Sequence, residues 1–190
     1  ARDRDAIRQL LADGQQDWEA ARRAAQARLA RALPGEEAEH CRNLVRYALR
    51  SGDDRGAVRA FLDLRRRDPG ALGTEATAAL QAAQALKRLG KPAFAEAVLS
   101  AHIAARGATD SRAGLLMAEI LLVRGRRQEA TAVLDRIETD DPALLARRER
   151  LAGHLAWAAG DRAEAAHRFR KGNLPGHSTE ASLLREVEAW

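Results

Sequence analysis

Glycine recurs at Gly14, Gly52, Gly90, Gly125 and Gly160, each closing an apolar-periodic stretch, at separations of 38, 38, 35 and 35 residues. A period of this length restricts the chain to folds in which one supersecondary unit is repeated and stacked, because a single unit cannot bury its own apolar face. In the clearest copies an alanine follows five residues after the glycine, at Ala57, Ala130 and Ala165. Four residues beyond each alanine stands a bulky apolar residue: Phe61, Leu134 and Phe169. Twelve beyond the first two alanines stands a proline, Pro69 and Pro142.

This spacing suits two packed helices joined by a tight turn. Glycine permits the left-handed conformation that ends the first helix, and a small residue lets the second approach closely. Asp161 with Glu164 reads as a capping box opening a second helix, and Pro142 after Asp141 suits the first turn of the next hairpin. Composition agrees: 46% of residues are hydrophobic, only 4% aromatic, and alanine, leucine, arginine and glutamate are strong helix formers. The expectation is an all-α protein with thin, alanine-lined layers.

Gly52, Ala57, Phe61 and Pro69 make the chain resemble the tetratricopeptide repeat family, in which a hairpin of helices A and B carries a glycine near the end of A, alanine and an aromatic in B, and a closing proline. Ala83, Ala118 and Gly153 take the family's small position in helix A. The resemblance implies an α-α superhelix, a TPR-like solenoid of about five helical hairpins plus a C-terminal helix, in one domain over 1–190. The repeats fall at about 1–34, 36–70, 73–108, 110–140 and 142–172, with a terminal helix over 178–190. The helix pairs are expected at 2–13 and 16–32, 37–51 and 54–67, 75–89 and 93–106, 111–124 and 127–138, 143–159 and 162–171. Two copies depart from the pattern: Ala20 lies six residues after Gly14 and Ala97 seven after Gly90. Longer turns are expected there. An irregular helical bundle or a Sel1-like array is the competing architecture.

Site chemistry is sparse. His40, His102, His154, His167 and His177 include no pair four residues apart and no HExxH motif. The lone Cys41 rules out an internal disulfide and a multi-cysteine metal site. With no glycine-rich phosphate loop, no GxSxG elbow and no Cys41–His dyad, neither an enzyme, a metal nor a cofactor is expected. Asp53, Asp54, Asp140 and Asp141 stand in turns, where caps explain them better than acid–base catalysis. No stretch of about 18 apolar residues is present, so membrane attachment would need a segment beyond this sequence. The chain opens at Ala1 and is read as a piece of a longer protein, from a bacterial cytoplasm or periplasm.

By the resemblance, function lies on the concave face lined by A helices. That register presents Arg42, Arg46 and Arg50 in the second copy; Gln84, Lys87 and Arg88 in the third; Arg112 and Glu119 in the fourth; and Arg147, Arg150, His154 and Trp157 in the fifth. Most are cationic, and the net charge is +5. Arginine pairs bidentately with carboxylate or phosphate. The implied role is a scaffold or adaptor binding another protein through a peptide or helix segment, acidic in character. The alternatives are a guide for an anionic polymer in envelope exopolysaccharide secretion and RNA binding. RNA is disfavoured because three Trp, three Phe and one Tyr leave few rings to stack bases. The lysine–asparagine clamp of the family's chaperone-binding members is not matched by Asn43 and Asn173. Leu183, Leu184, Val187 and Trp190 form an apolar stripe on the terminal helix, where self-association is expected.

Overall fold

The computed structural model describes residues 17–33, 35–69, 76–106 and 110–172. The expected helices over 2–13 and 178–190, with the terminal apolar stripe, lie outside the described residues. The chain packs as two compact units, Ala1–Arg106 and Gly107–Trp190. Among the described residues there are helices and no strand. The first unit holds α1 (Trp18–Leu29), α2 (Glu37–Arg50), α3 (Asp54–Arg67), α4 (Ala76–Arg88) and α5 (Pro92–Arg106). The second holds α6 (Ser111–Val123), α7 (Arg127–Leu134), α8 (Pro142–Ala159) and α9 (Arg162–Lys171).

The four described hairpin turns are built alike. Gly52, Gly90, Gly125 and Gly160 have φ of +76°, +68°, +74° and +86°, the left-handed region that a side chain resists. The residue after each glycine donates its N–H back to the helix: Asp53 to Ala48 O, Lys91 to Leu86 O, Arg126 to Leu121 O and Asp161 to Ala156 O, at 2.7–3.0 Å. That bond satisfies a carbonyl the helix end would otherwise leave unpaired. Aspartate opens the following helices: Asp17 accepts from Ala20 N, Asp53 from Gly56 N, Asp110 from Ala113 N, Asp141 from Ala143 N and Asp161 from Glu164 N. The capping box at Asp161 is only half made. Asp161 N goes to Ala156 O, and the Glu164 carboxylate accepts from Arg168 Nε at 2.6 Å.

The helix expected over 16–32 is the shorter α1, Trp18–Leu29, and two further helices differ from the sequence reading. The turn at Gly90 is no longer than the others: Pro92 opens α5, and Ala95 and Leu99, both fully buried, hold the positions five and nine after the glycine. Ala97 is exposed. Three alternating alanines obscure the register there, and a leucine stands where the second and fifth copies have phenylalanine. The other difference is α7, which ends at Leu134 rather than near 138. Ile137 turns in through its N–H to Leu134 O and is buried, lying 3.1 Å from where a Cβ on Gly114 would stand. A side chain at that glycine would displace it.

Each hairpin's helices pack on one another, and successive hairpins stack within each unit. In the first unit α4 rests on α2 and α3; in the second α8 rests on α6 and α7. Small residues set the spacing. Ala79, Ala82, Ala83 and Ala85 of α4 are fully buried, and at Gly153 of α8 the ring of Phe169 occupies the space a Cβ would need. Phe61 and Phe169 are fully buried in their hairpins, each expected to contribute about 3–5 kcal/mol against alanine.

Candidate partner-binding faces

In the first unit, Arg42, Arg46 and Arg50 lie one turn apart along α2 and therefore share a face. Two are seated on aromatic rings. The Arg46 guanidinium lies 4.8 Å over the Tyr47 ring, and an Nη donates to the Tyr47 hydroxyl at 2.8 Å. Arg50 lies 4.5 Å over the indole of Trp18, which stacks on Tyr47 with centroids 6.3 Å apart. Rings hold a guanidinium by its face and leave the edge to donate. Arg42 is half-buried, while Arg46 and Arg50 are exposed. On α4, Gln84 is exposed and Lys87 half-buried, and Arg88 grips Asp54 with two donors at 2.9 and 2.5 Å.

The second unit treats its candidates differently. Arg147 donates from Nε and an Nη to one oxygen of Glu119, at 2.8 and 2.6 Å, tying α8 to α6. Arg150 donates to the Gly172 carbonyl at 2.9 Å, closing α8 on the end of α9. The His154 ring stands edge-on to Phe169, centroids 5.3 Å apart. Trp157 is half-buried beneath the Arg162 guanidinium, which lies 5.7 Å away. Arg112, at the start of α6, is exposed.

Glu149 is a feature the motif reading passed over. It is 8% exposed and stands eleven residues before its turn glycine, where the second, third and fourth copies carry Cys41, Ala79 and Gly114. Arg148 and Arg168 each donate to it at 3.0 Å. Burial alone would raise its pKa, but the hydrogen bonds from Arg168 and Arg148 outweigh that and hold the carboxyl below its usual range. The one signal in the sequence was a carboxylate where the three preceding copies have cysteine, alanine and glycine. Trp18 and Tyr47 were also missed as platforms, since nothing in their spacing ties α1 to α2.

Burial, with Arg28 nearby, lowers the pKa of His40, and burial raises that of Cys41. Among the described residues no group of three or more His, Cys, Asp or Glu could hold a metal ion. No described helix is long and apolar enough to cross a membrane.

Helix pairs closed by a left-handed glycine, each stacked on the last within its unit, define an all-α helical-hairpin repeat. No family model and no curated protein matches the sequence. Solved structures do match. One of MamA aligns over 90% of this chain and 89% of its own, with a TM-score of 0.75 and 17% identity. The pilF protein of Pseudomonas aeruginosa aligns over 100% of this chain and 82% of its own, at 0.72 and 18%. YrrB, a TPR protein with an unusual peptide-binding site, aligns over 96% and 89%, at 0.71 and 17%. The fold is tetratricopeptide-like.

Proposed function

We propose that the chain is a non-catalytic interaction scaffold that holds an acidic segment of another protein on its A-helix faces, with the principal anchor on α2. The observation that carries this reading is the row Arg42, Arg46 and Arg50, with two guanidiniums seated over Tyr47 and Trp18. Ring stacking fixes the direction of a long side chain before a ligand arrives, so less rotamer entropy is lost on binding. Its exposed donors then suit carboxylates. Gln84, Lys87, Arg112, His154 and Trp157 are secondary contacts in this proposal, and Arg88, Glu119, Arg147 and Arg150 serve to hold neighbouring helices.

The test is fluorescence anisotropy with a labelled glutamate-rich peptide and a sulfated oligosaccharide of equal charge, at low and at high salt. Saturable peptide binding that salt weakens, and that Arg46→Glu and Arg50→Glu together reduce at least about tenfold, is the expected result. Unchanged affinity in that variant would remove the α2 anchor. Preference for the oligosaccharide would transfer the reading to an anionic-polymer guide.

A further inference from the structure

The second unit contains a cleft of about 470 Å³ between α7, α8 and α9, within the range of about 300–1,000 Å³ typical of binding pockets. Its origin lies in the repeat register. Eight and four residues before the turn glycine stand Leu44 and Ala48, Ala82 and Leu86, Met117 and Leu121, then Ala152 and Ala156. The second, third and fourth copies each place at least one large buried side chain at this pair; α8 places two alanines. The floor of the cleft is accordingly Ala152, Leu155, Ala156 and Ala159, faced by Leu134 from α7. These α8 positions lie on the opposite side of the helix from Arg147, Arg150 and Trp157.

The rim has a charge of its own. Arg148 and Arg168 are matched by Glu149 and Glu164, to which they hydrogen-bond. That leaves Asp135, at the end of α7, and Asp161, at the start of α9, as the unmatched charges lining the opening. The adjacent Arg136 does not offset Asp135 by pairing with it; its Nε turns back to Ala132 O at 2.9 Å. An alkyl floor with carboxylates at its edge fits an amphipathic cation, whose methylene stem packs while its head reaches water and charge.

We propose that this cleft is a second docking site, which takes a lysine or arginine side chain of a partner segment, its stem on the alanine floor and its head at Asp135 and Asp161. The site is opposite in sign to the α2 face and independent of it.

The experiment is methyl NMR of the 190-residue chain titrated with three blocked peptides, alanine-flanked and differing only in a central arginine, norleucine or glutamate. The arginine peptide is expected to shift the Ala152, Ala156 and Ala159 methyl signals saturably, with norleucine about fivefold weaker and glutamate without effect. Ala156→Leu should fill the floor and abolish those shifts, and Asp135→Lys should weaken binding at least about fivefold while leaving the acidic-peptide affinity of α2 unchanged. Should Ala156→Leu fail to fold, Asp135→Lys decides. Equal binding of arginine and norleucine, binding of arginine that survives both substitutions, or no shift at millimolar peptide would each overturn the proposal.

Discussion

The two units both carry arginine on their A helices and use it in different ways. In the first, Arg46 and Arg50 stand on rings. In the second, Arg147 is bound to Glu119 and Arg150 to the Gly172 carbonyl. The difference follows from what surrounds each guanidinium: a carboxylate or an orphan carbonyl turns arginine into a tie between helices, whereas an aromatic ring orients it and leaves its edge exposed. The same residue type is therefore seated on rings in one unit and ties helices together in the other.

The largest effect that would break this contrast is at Glu149. Replacing it with alanine leaves Arg148 and Arg168 without their shared carboxylate and should cost the second unit about 3 kcal/mol, the order found when one partner of a buried pair is removed. Arg88→Ala, which breaks the more exposed pair with Asp54 in the first unit, should cost less than about 1 kcal/mol. Urea denaturation of both variants checks this. Comparable losses would show that the second unit does not depend on its ion pairs in a special way.

A smaller effect sharpens the packing side of the comparison. Gly153→Ala puts a methyl group where the Phe169 ring lies, which overpacking makes unfavourable by roughly 1–3 kcal/mol, partly offset by about 1 kcal/mol of helix propensity. Net destabilisation is expected, and combining it with Phe169→Leu should recover part of it. A Gly153→Ala protein that melts higher than the native chain would show that the ring yields easily.

Next in size is the contrast itself. Arg150→Ala should lower stability by about 1 kcal/mol, because it removes a charged donor from the Gly172 carbonyl. Arg50→Ala should change stability less while weakening acidic-peptide binding by about threefold. A paired set of melting curves and anisotropy titrations separates the two roles; reversal of the pattern would exchange the functions assigned to the units.

Much of the fold was legible because the turn chemistry is local. A glycine at positive φ and an alanine five residues on are set by neighbours within one hairpin, as are the aspartate caps after Gly52 and Gly160, so Gly52, Gly125 and Gly160 announced their turns. The third copy was harder to read because Ala93, Ala95 and Ala97 offer rival registers and Leu99 gives no aromatic marker. The site was less legible for a physical reason. Whether Arg147 or Arg46 ties two helices or sits on a ring depends on Glu119 and Tyr47, and Glu119 comes from another repeat 28 residues earlier. The cleft at Ala152 and Ala156 is the intermediate case: its cause is in the register, but an absence of bulk is seen only by comparing copies.

The smallest expected effect concerns acid. His40 in α2 is buried with Nδ1 lacking a hydrogen-bond partner, and burial first, then Arg28, lowers its pKa against the opposing pull of Glu39 and Glu36. The unfolded chain takes up this proton near the ordinary value of about 6.5, whereas the folded chain does so only at lower pH. Stability of the first unit therefore falls as pH drops below about 6.5 and levels off below the folded value. Glu149 in the second unit has its folded pKa depressed; its contribution is complete above the ordinary value of about 4.3 and is lost as pH falls through the folded value. Between about pH 6 and 5, amide exchange corrected for its intrinsic rate should accelerate in α2 while α8 stays protected, and His40→Gln should flatten the α2 response. Earlier loss of protection in α8 would place the acid-sensitive group in the second unit, so that the buried carboxylate, and not the buried imidazole, sets the first step of acid unfolding.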